Sequence, residues 1–394
     1  MSIEIFHQLG FRQNWNFDSF EDDSVGSGFI FASSHMQKTD IENTTDEYKQ
    51  ISIFDPQFFL PNTPKRNLIT YDFFPDNLSD GFQTNEYIQN HSQECAIKCL
   101  EFQKENHFIK YVIPTRYIPG MPTDFITQQQ ELFINPFLKA ASKIGIEKKL
   151  ILQLIVNNEM IKDKEYSTDL LNWITGFRDI CGVYLIAEIS PRHKQIKEIE
   201  FLYNYLHFVN FLVQNELYVL LGYQNTESLL LTIANPNAIT IGSYENLRMF
   251  NIRNFEETEK DHIRGPNARI YSSTLIQWVD VNYLGALKRA FGSLDVFDDN
   301  HYRALMFQPG YRWHFSKPDL YKHYFLIFSN QIQRYTAVNG IERFKMVIDS
   351  IKNAISYYEK IQKMGVYLDS DSDGSHLAPW LTAASQFGAD QGWN

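Results

Sequence analysis

A chain of 394 residues, 44% hydrophobic and 15% aromatic, carries enough apolar material for a sizeable core, which excludes global disorder. A net charge of −11 excludes a general attraction for phosphate backbones, so binding of RNA or DNA would need a separate basic patch. The three cysteines, Cys95, Cys99 and Cys181, are too few for a disulfide framework, and no second Cys/His pair completes a zinc site around Cys95 and Cys99. No metal and no cofactor are therefore expected.

The N-terminus shows no basic stretch followed by an apolar run, and no segment reaches about 18 apolar residues. The expectation is a cytoplasmic chain without a membrane span. Residues 1–26 are polar and acidic around scattered aromatics and read as an N-terminal arm. Gly28–Ala32 is the first strong strand, followed by Ser33, Ser34 and His35. Ile51–Phe54 is the next, closed by Asp55-Pro56 and Gln57. Leu68–Tyr71 reads as a short extra strand leading to Asp72. A helix over 86–105 precedes a strand at Phe108–Ile113, which ends in Pro114-Thr115-Arg116. A helix over Phe125–Lys143 leads to a strand at Leu150–Val156, ending in Asn157-Asn158-Glu159. Then come a helix at Thr168–Phe177, a strand at Val183–Ala187 closed by Glu188, and a helix at Lys194–Gln214. Two apolar runs follow, Leu217–Leu221 before Gly222-Tyr223-Gln224 and Ala238–Ile241 before Gly242-Ser243-Tyr244-Glu245, with a short helical segment between. Arg269–Ser272 reads as the last strand.

Strands near 28, 51, 108, 150, 183, 217, 238 and 269 alternate with helices, which predicts an α/β fold with a parallel sheet. That number of repeats in about 250 residues fits a (β/α)8 TIM-type barrel over 27–282. The alternative is a doubly wound open sheet, which normally carries a glycine-rich G-x-G-x-x-G turn that is missing here. Residues 283–368 read as a helical C-terminal extension and 369–394 as a polar tail. Asp369, Asp371, Asp373 and Gly374 begin like a calcium loop, but Trp380 stands at its twelfth position, so a solvated tail is the simpler reading.

Barrels place their chemistry at the C-terminal ends of the strands. That rule nominates carboxylates at Asp55, Asp72, Glu159, Glu188 and Glu245 as catalytic candidates. His35, Gln57, Arg116, Asn157, Asn158, Tyr223, Gln224, Ser243, Arg248 and Ser272 are candidates for binding substrate. Amides and carboxylates in such a ring suit a sugar, nucleoside or nucleobase. Glu159 after the fourth strand and Glu245 after the seventh resemble the acid/base and nucleophile of barrel-type retaining glycosidases, which need two carboxylates flanking the bond. Arg248 reads either as an anchor for phosphate or carboxylate, or as half of a salt bridge.

The order of strands resembles the tRNA-guanine transglycosylase barrel. Leu217–Leu231 (LYVLLGYQNTESLLL) is similar to that family's sixth-strand segment, and LQLIVNN (152–158) and GVYLIAE (182–188) stand at its neighbouring strands. DGFQ (80–83) echoes the segment of the catalytic acid, and SYENLR (243–248) the segment that carries an Arg. The resemblance implies a base- or nucleotide-sized pocket and N-glycosidic chemistry. Gly242-Ser243 stands where that family has its nucleophilic Asp, and its zinc motif is absent. The Gly242–Arg248 segment also resembles barrel proteins of phages and bacterial defence islands. That second likeness implies a non-catalytic sensor or structural subunit in an antiviral assembly, with the aromatic C-terminal helices as the protein-binding surface.

Overall fold

The computed structural model describes residues 2–60, 63, 65–75, 91–146, 148–189, 194–256 and 265–393. Eight strands form one parallel sheet: β1 (Glu4–Gln8), β2 (Gly28–Ala32), β3 (Ile53–Asp55), β4 (Tyr111–Ile113), β5 (Leu150–Asn157), β6 (Ile180–Glu188), β7 (Tyr218–Gly222) and β8 (Ala238–Gly242). The order is β3-β2-β1-β8-β7-β6-β5-β4, and a parallel bridge between Ile53 and Lys110 joins its two ends. The fold is a nearly closed (β/α)8 barrel with helices around it and further helices at its C-terminal side.

The strands β2 and β5 to β8 are largely apolar because both faces are covered. Alternation survives along the strands. Phe6, Ile30, Ile53, Val112, Ile151, Ile155, Tyr184, Ile186, Leu220 and Ala238 pack together in the lumen. Their neighbours, among them Ile5, Phe29, Phe31, Leu152, Leu154, Val183, Leu185, Val219 and Leu221, pack into the outer core beneath the helices. Gly222 belongs to the lumen: a side chain there would overlap the Tyr184 ring.

Residues 1–26 are not an arm. Glu4–Gln8 is a barrel strand hydrogen-bonded between β2 and β8, and Asn14–Asp23 is the helix that follows it. At the other end, Arg269–Ser272 is not a barrel strand. It forms an antiparallel hairpin with Gln277–Asp280, named here β9 and β10. Leu68–Thr70 is a turn of 3-10 helix rather than an extra strand. The strand numbering shifts accordingly: Glu159 follows the fifth strand and Glu245 the eighth.

The C-terminal helices are built into the molecule. Helix Pro318–Thr336 packs on helix Asn14–Asp23 and on β9, burying Tyr324, Phe325, Phe328 and Tyr335. Helix Leu377–Asp390 packs against helix Ile199–Gln214, with the Trp380 Nε1 donating to the Ile196 carbonyl at 2.8 Å. Many of the aromatic side chains of this extension are therefore spent on the core, while Tyr367 is exposed. No helix among the described residues is long and apolar enough to cross a membrane.

Candidate functional site

Asp55, at the end of β3, is a fully buried carboxylate in the lumen. Its Oδ1 accepts from Gln153 Nε2 (2.6 Å) and the Gln57 amide (3.1 Å), and its Oδ2 from the Tyr184 hydroxyl (3.3 Å). The Tyr184 hydroxyl also lies 3.3 Å from Gln8 Oε1. Burial pushes the Asp55 carboxyl up to about 7 despite those donors, because desolvation disfavours the ionised form more than they favour it. Gln57 and Tyr223 sit above, joined by a 2.8 Å hydrogen bond from Gln57 Nε2 to the Tyr223 hydroxyl. Both have positive φ, near 53°, an uncommon backbone conformation for such residues.

The usual entrance to this lumen is filled. The segment after the short helix Glu245–Arg248 crosses the mouth and bridges to β6 at Glu188↔Phe250. Phe250 contacts Tyr223 (ring centroids 5.4 Å apart) and Phe59 (5.0 Å), and Phe255 contacts Phe59 at 4.9 Å. Asp55 is sealed beneath this aromatic layer, and Gln57 and Tyr223 bind each other.

Beside the plug lies an open cleft of about 420 Å³. It is lined by Tyr117 after β4, Asn157, Asn158 and Glu159 after β5, Glu188 at the end of β6, and Asn251 and Arg253 from the crossing segment. Four sequence candidates thus converge here: Asn157, Asn158, Glu159 and Glu188. Glu188 accepts from the Ile252 amide (3.2 Å), and the Tyr117 hydroxyl hydrogen-bonds to it. Burial, then Glu188, pushes the Tyr117 hydroxyl above its ordinary range, so it stays a donor. Glu159 is exposed in the first turn of helix Asn158–Lys162. Asn157 caps that helix by accepting from the Met160 amide (2.9 Å) and donates to the Gly120 carbonyl (2.6 Å), so its role is to shape the wall. Asn158 donates to Glu198 at 2.7 Å.

The other candidates lie elsewhere. Asp72 is on the surface, paired with Lys38 at 2.9 Å. Glu245 is turned to Lys194 (2.9 Å), so it cannot pair with Glu159 across the cleft. Ser272 is in the β9–β10 hairpin, where its hydroxyl donates to the Val296 carbonyl. Burial, with Lys65 adding, lowers His35 to about 4, which makes it a weak base. Arg116 is half-buried after β4, its backbone held by Gln129 on both sides (3.1 and 2.7 Å). Gln224 and Arg248 gather with Glu227 and Lys194 beyond the ends of β7 and β8, and Ser243 is buried just after β8. Segment 80–83 lies outside the described residues.

Sequence reading missed Tyr117, Asn251 and Arg253 in the cleft, and Gln8, Gln153 and Tyr184 in the lumen. Gln153 had a signal: it is the one polar residue within the apolar run Leu150–Val156. Arg253 had none, since its place depends on how the crossing segment turns. No family model, curated protein or solved structure matches the chain.

Proposed function

We propose that the barrel binds a polar small molecule of the sugar or nucleoside class in the cleft after β4, β5 and β6, with Glu159 and Glu188 as its paired carboxylates. The observation that carries this reading is the convergence of two carboxylates, three amides, a phenol and a guanidinium on one open cavity of about 420 Å³. That volume suits a group of nucleoside size, and the mixture of donors and acceptors suits hydroxyls and ring nitrogens. Glu188, held by the Ile252 amide and beside the Tyr117 hydroxyl, fits a nucleophile or a stabiliser of positive charge on a sugar ring. Glu159, exposed at the cleft, fits the acid/base partner. Cleavage of a glycosidic or N-glycosidic bond is the reaction such a pair performs. This keeps the class of chemistry implied by the transglycosylase likeness and moves it to other residues than the segment Gly242–Arg248.

A second reading, a non-catalytic sensor or structural subunit such as one in an antiphage assembly, is favoured by the aromatic layer that fills the lumen entrance. The two are separated by incubating the protein with nucleosides and aryl glycosides while following both binding and release of base or aglycone. Glu188→Gln and Glu159→Gln should each lower turnover by about 100-fold or more while retaining binding. Saturable binding without turnover in the unaltered protein would favour the sensor. Binding and turnover unchanged in both variants would remove the cleft from consideration.

A further inference from the structure

Arg248 is buried to 7% exposure at the end of the short helix after β8. Its guanidinium lies 4.1 Å over the Trp278 ring and 5.4 Å from that of Tyr324. Stacking covers its faces and leaves its edge, yet Nε and Nη1 have no hydrogen-bond partner among the described residues. Arg343 shows what a buried arginine with a structural role looks like in this chain. Its Nε donates to the Tyr335 carbonyl (3.2 Å), and its Nη1 to the Thr232 carbonyl (3.1 Å) and Asn235 Oδ1 (2.6 Å). Buried donors are nearly always satisfied, so unfilled ones on a charged group point to a missing partner.

Two small cavities flank the Arg248 side chain, of about 20 Å³ and 60 Å³, and both are also lined by Lys194. Further buried polar atoms without partners line them: the Trp278 Nε1 in the larger, and the Tyr205 hydroxyl and Gln224 Oε1 in the smaller. The neighbouring cations are already neutralised. Lys194 pairs with Glu245 (2.9 Å) and Asp371 (3.4 Å), and Arg269 with Asp371 (3.2 Å). Glu227 accepts from the Asn225 amide at 2.8 Å and makes no ion pair with Arg248 among the described contacts. A guanidinium edge, an indole N–H and a phenol around a space this small match the acceptors of an oxyanion rather than a base or a sugar ring.

We propose that Arg248 anchors an oxyanion, a phosphate or carboxylate group of a small ligand, in the paired cavities beyond β7 and β8. The site is independent of the cleft reading, since neither Glu159 nor Glu188 lines it. Arg248 supplies the charge-assisted bonds, and Trp278 holds its plane and adds a donor. Burial pushes the adjacent Glu227 carboxyl up to about 7, so an anion meets a neutral neighbour below that pH.

The test uses the full chain at about pH 6, titrated with inorganic phosphate and separately with acetate. Ionic strength is matched with sodium chloride, and thermal midpoint and calorimetric heat are read. Saturable stabilisation by phosphate alone marks a phosphate site, and by acetate a carboxylate site; chloride should reproduce neither. Arg248→Met should weaken that binding at least about tenfold. Equal responses to chloride, or unchanged affinity in a folded Arg248→Met protein, would overturn the proposal. Where Arg248→Met does not fold, Trp278→Phe keeps a ring under the guanidinium and deletes the indole donor. Affinity unchanged in that variant would overturn it equally.

Discussion

Replacing Asp55 with Asn should make the protein more stable at alkaline pH while changing little at acid pH. In the fold the Asp55 carboxyl is raised by burial to about 7, against an ordinary value of 3.8. The folded chain therefore holds this proton more tightly than the unfolded chain. Unfolding releases it between about pH 4 and pH 7, so stability falls as pH rises through that window and levels off above it. A gap of about three units corresponds to about 4 kcal/mol lost by pH 8, an upper figure if the lumen relaxes around the charge. Asn cannot ionise. Its Oδ1 can still accept from Gln153 Nε2 and the Gln57 amide, and its Nδ2 can donate to Tyr184, whose hydroxyl faces Gln8 Oε1. Buried His7, His35 and His323, lowered to about 4, and His376, lowered to about 3, impose an opposite loss on the acid side, as pH falls below about 6.5. They are common to both proteins, so the difference between variant and parent isolates Asp55. Urea unfolding at about pH 5, 6, 7 and 8 gives that difference directly. It should be about 1–2 kcal/mol in favour of Asn at pH 5 and grow to about 4 kcal/mol at pH 8. A difference that stays constant across the series would show that Asp55 does not titrate in this range and that the lumen is wetter than its packing implies.

Gly222→Ala should cost about 1–3 kcal/mol, because the added methyl overlaps the Tyr184 ring; it should also loosen the Tyr184–Asp55 contact and move the pH window above. A thermal midpoint and pH profile matching the parent would refute this. Arg343→Met should cost about 3 kcal/mol, since it strands the Tyr335 and Thr232 carbonyls where the C-terminal helices meet the segment after β7. A loss under about 0.5 kcal/mol in urea unfolding would mean that water replaces the guanidinium there. Trp380→Ala should cost about 3–5 kcal/mol by leaving a cavity against helix Ile199–Gln214, read from the same unfolding curves; a near-neutral result would indicate that helix Leu377–Asp390 contributes little to the fold.

The barrel class was readable from the sequence because β5 to β8 are buried on both faces and stand out as apolar runs. The ends of the count were not. Glu4–Gln8 closes on His7 and Gln8, polar residues that are buried here because Val25 and Asn16 satisfy the imidazole and Tyr184 meets the amide. Nothing local announces those partners, so the first strand looks like part of a polar arm. Arg269–Ser272 has a strand's composition, but composition does not say whether a strand joins the barrel or pairs with Gln277–Asp280. One strand missed and one added left the total at eight and shifted every number between. The cleft was half readable: Asn157 to Glu159 and Glu188 follow strands, and strand ends meet at the mouth whatever their number. The stack of Arg248 on Trp278 and Tyr324 unites the barrel, the hairpin and a C-terminal helix, which no spacing along the chain can announce.

The position of β1 also bears on how the molecule is assembled. The first strand lies between β2 and β8, with Phe6 in register with both Gly28 and Thr240. During synthesis its β8 side has no partner until almost the whole barrel has emerged. Non-local pairing of this kind slows folding, and a bare strand edge is a template for pairing with other chains. Closure of the ring is thus the step at which a nascent chain either completes itself or aggregates. Substitutions in Ala238–Gly242 should be felt in yield of soluble protein before they are felt at the cleft.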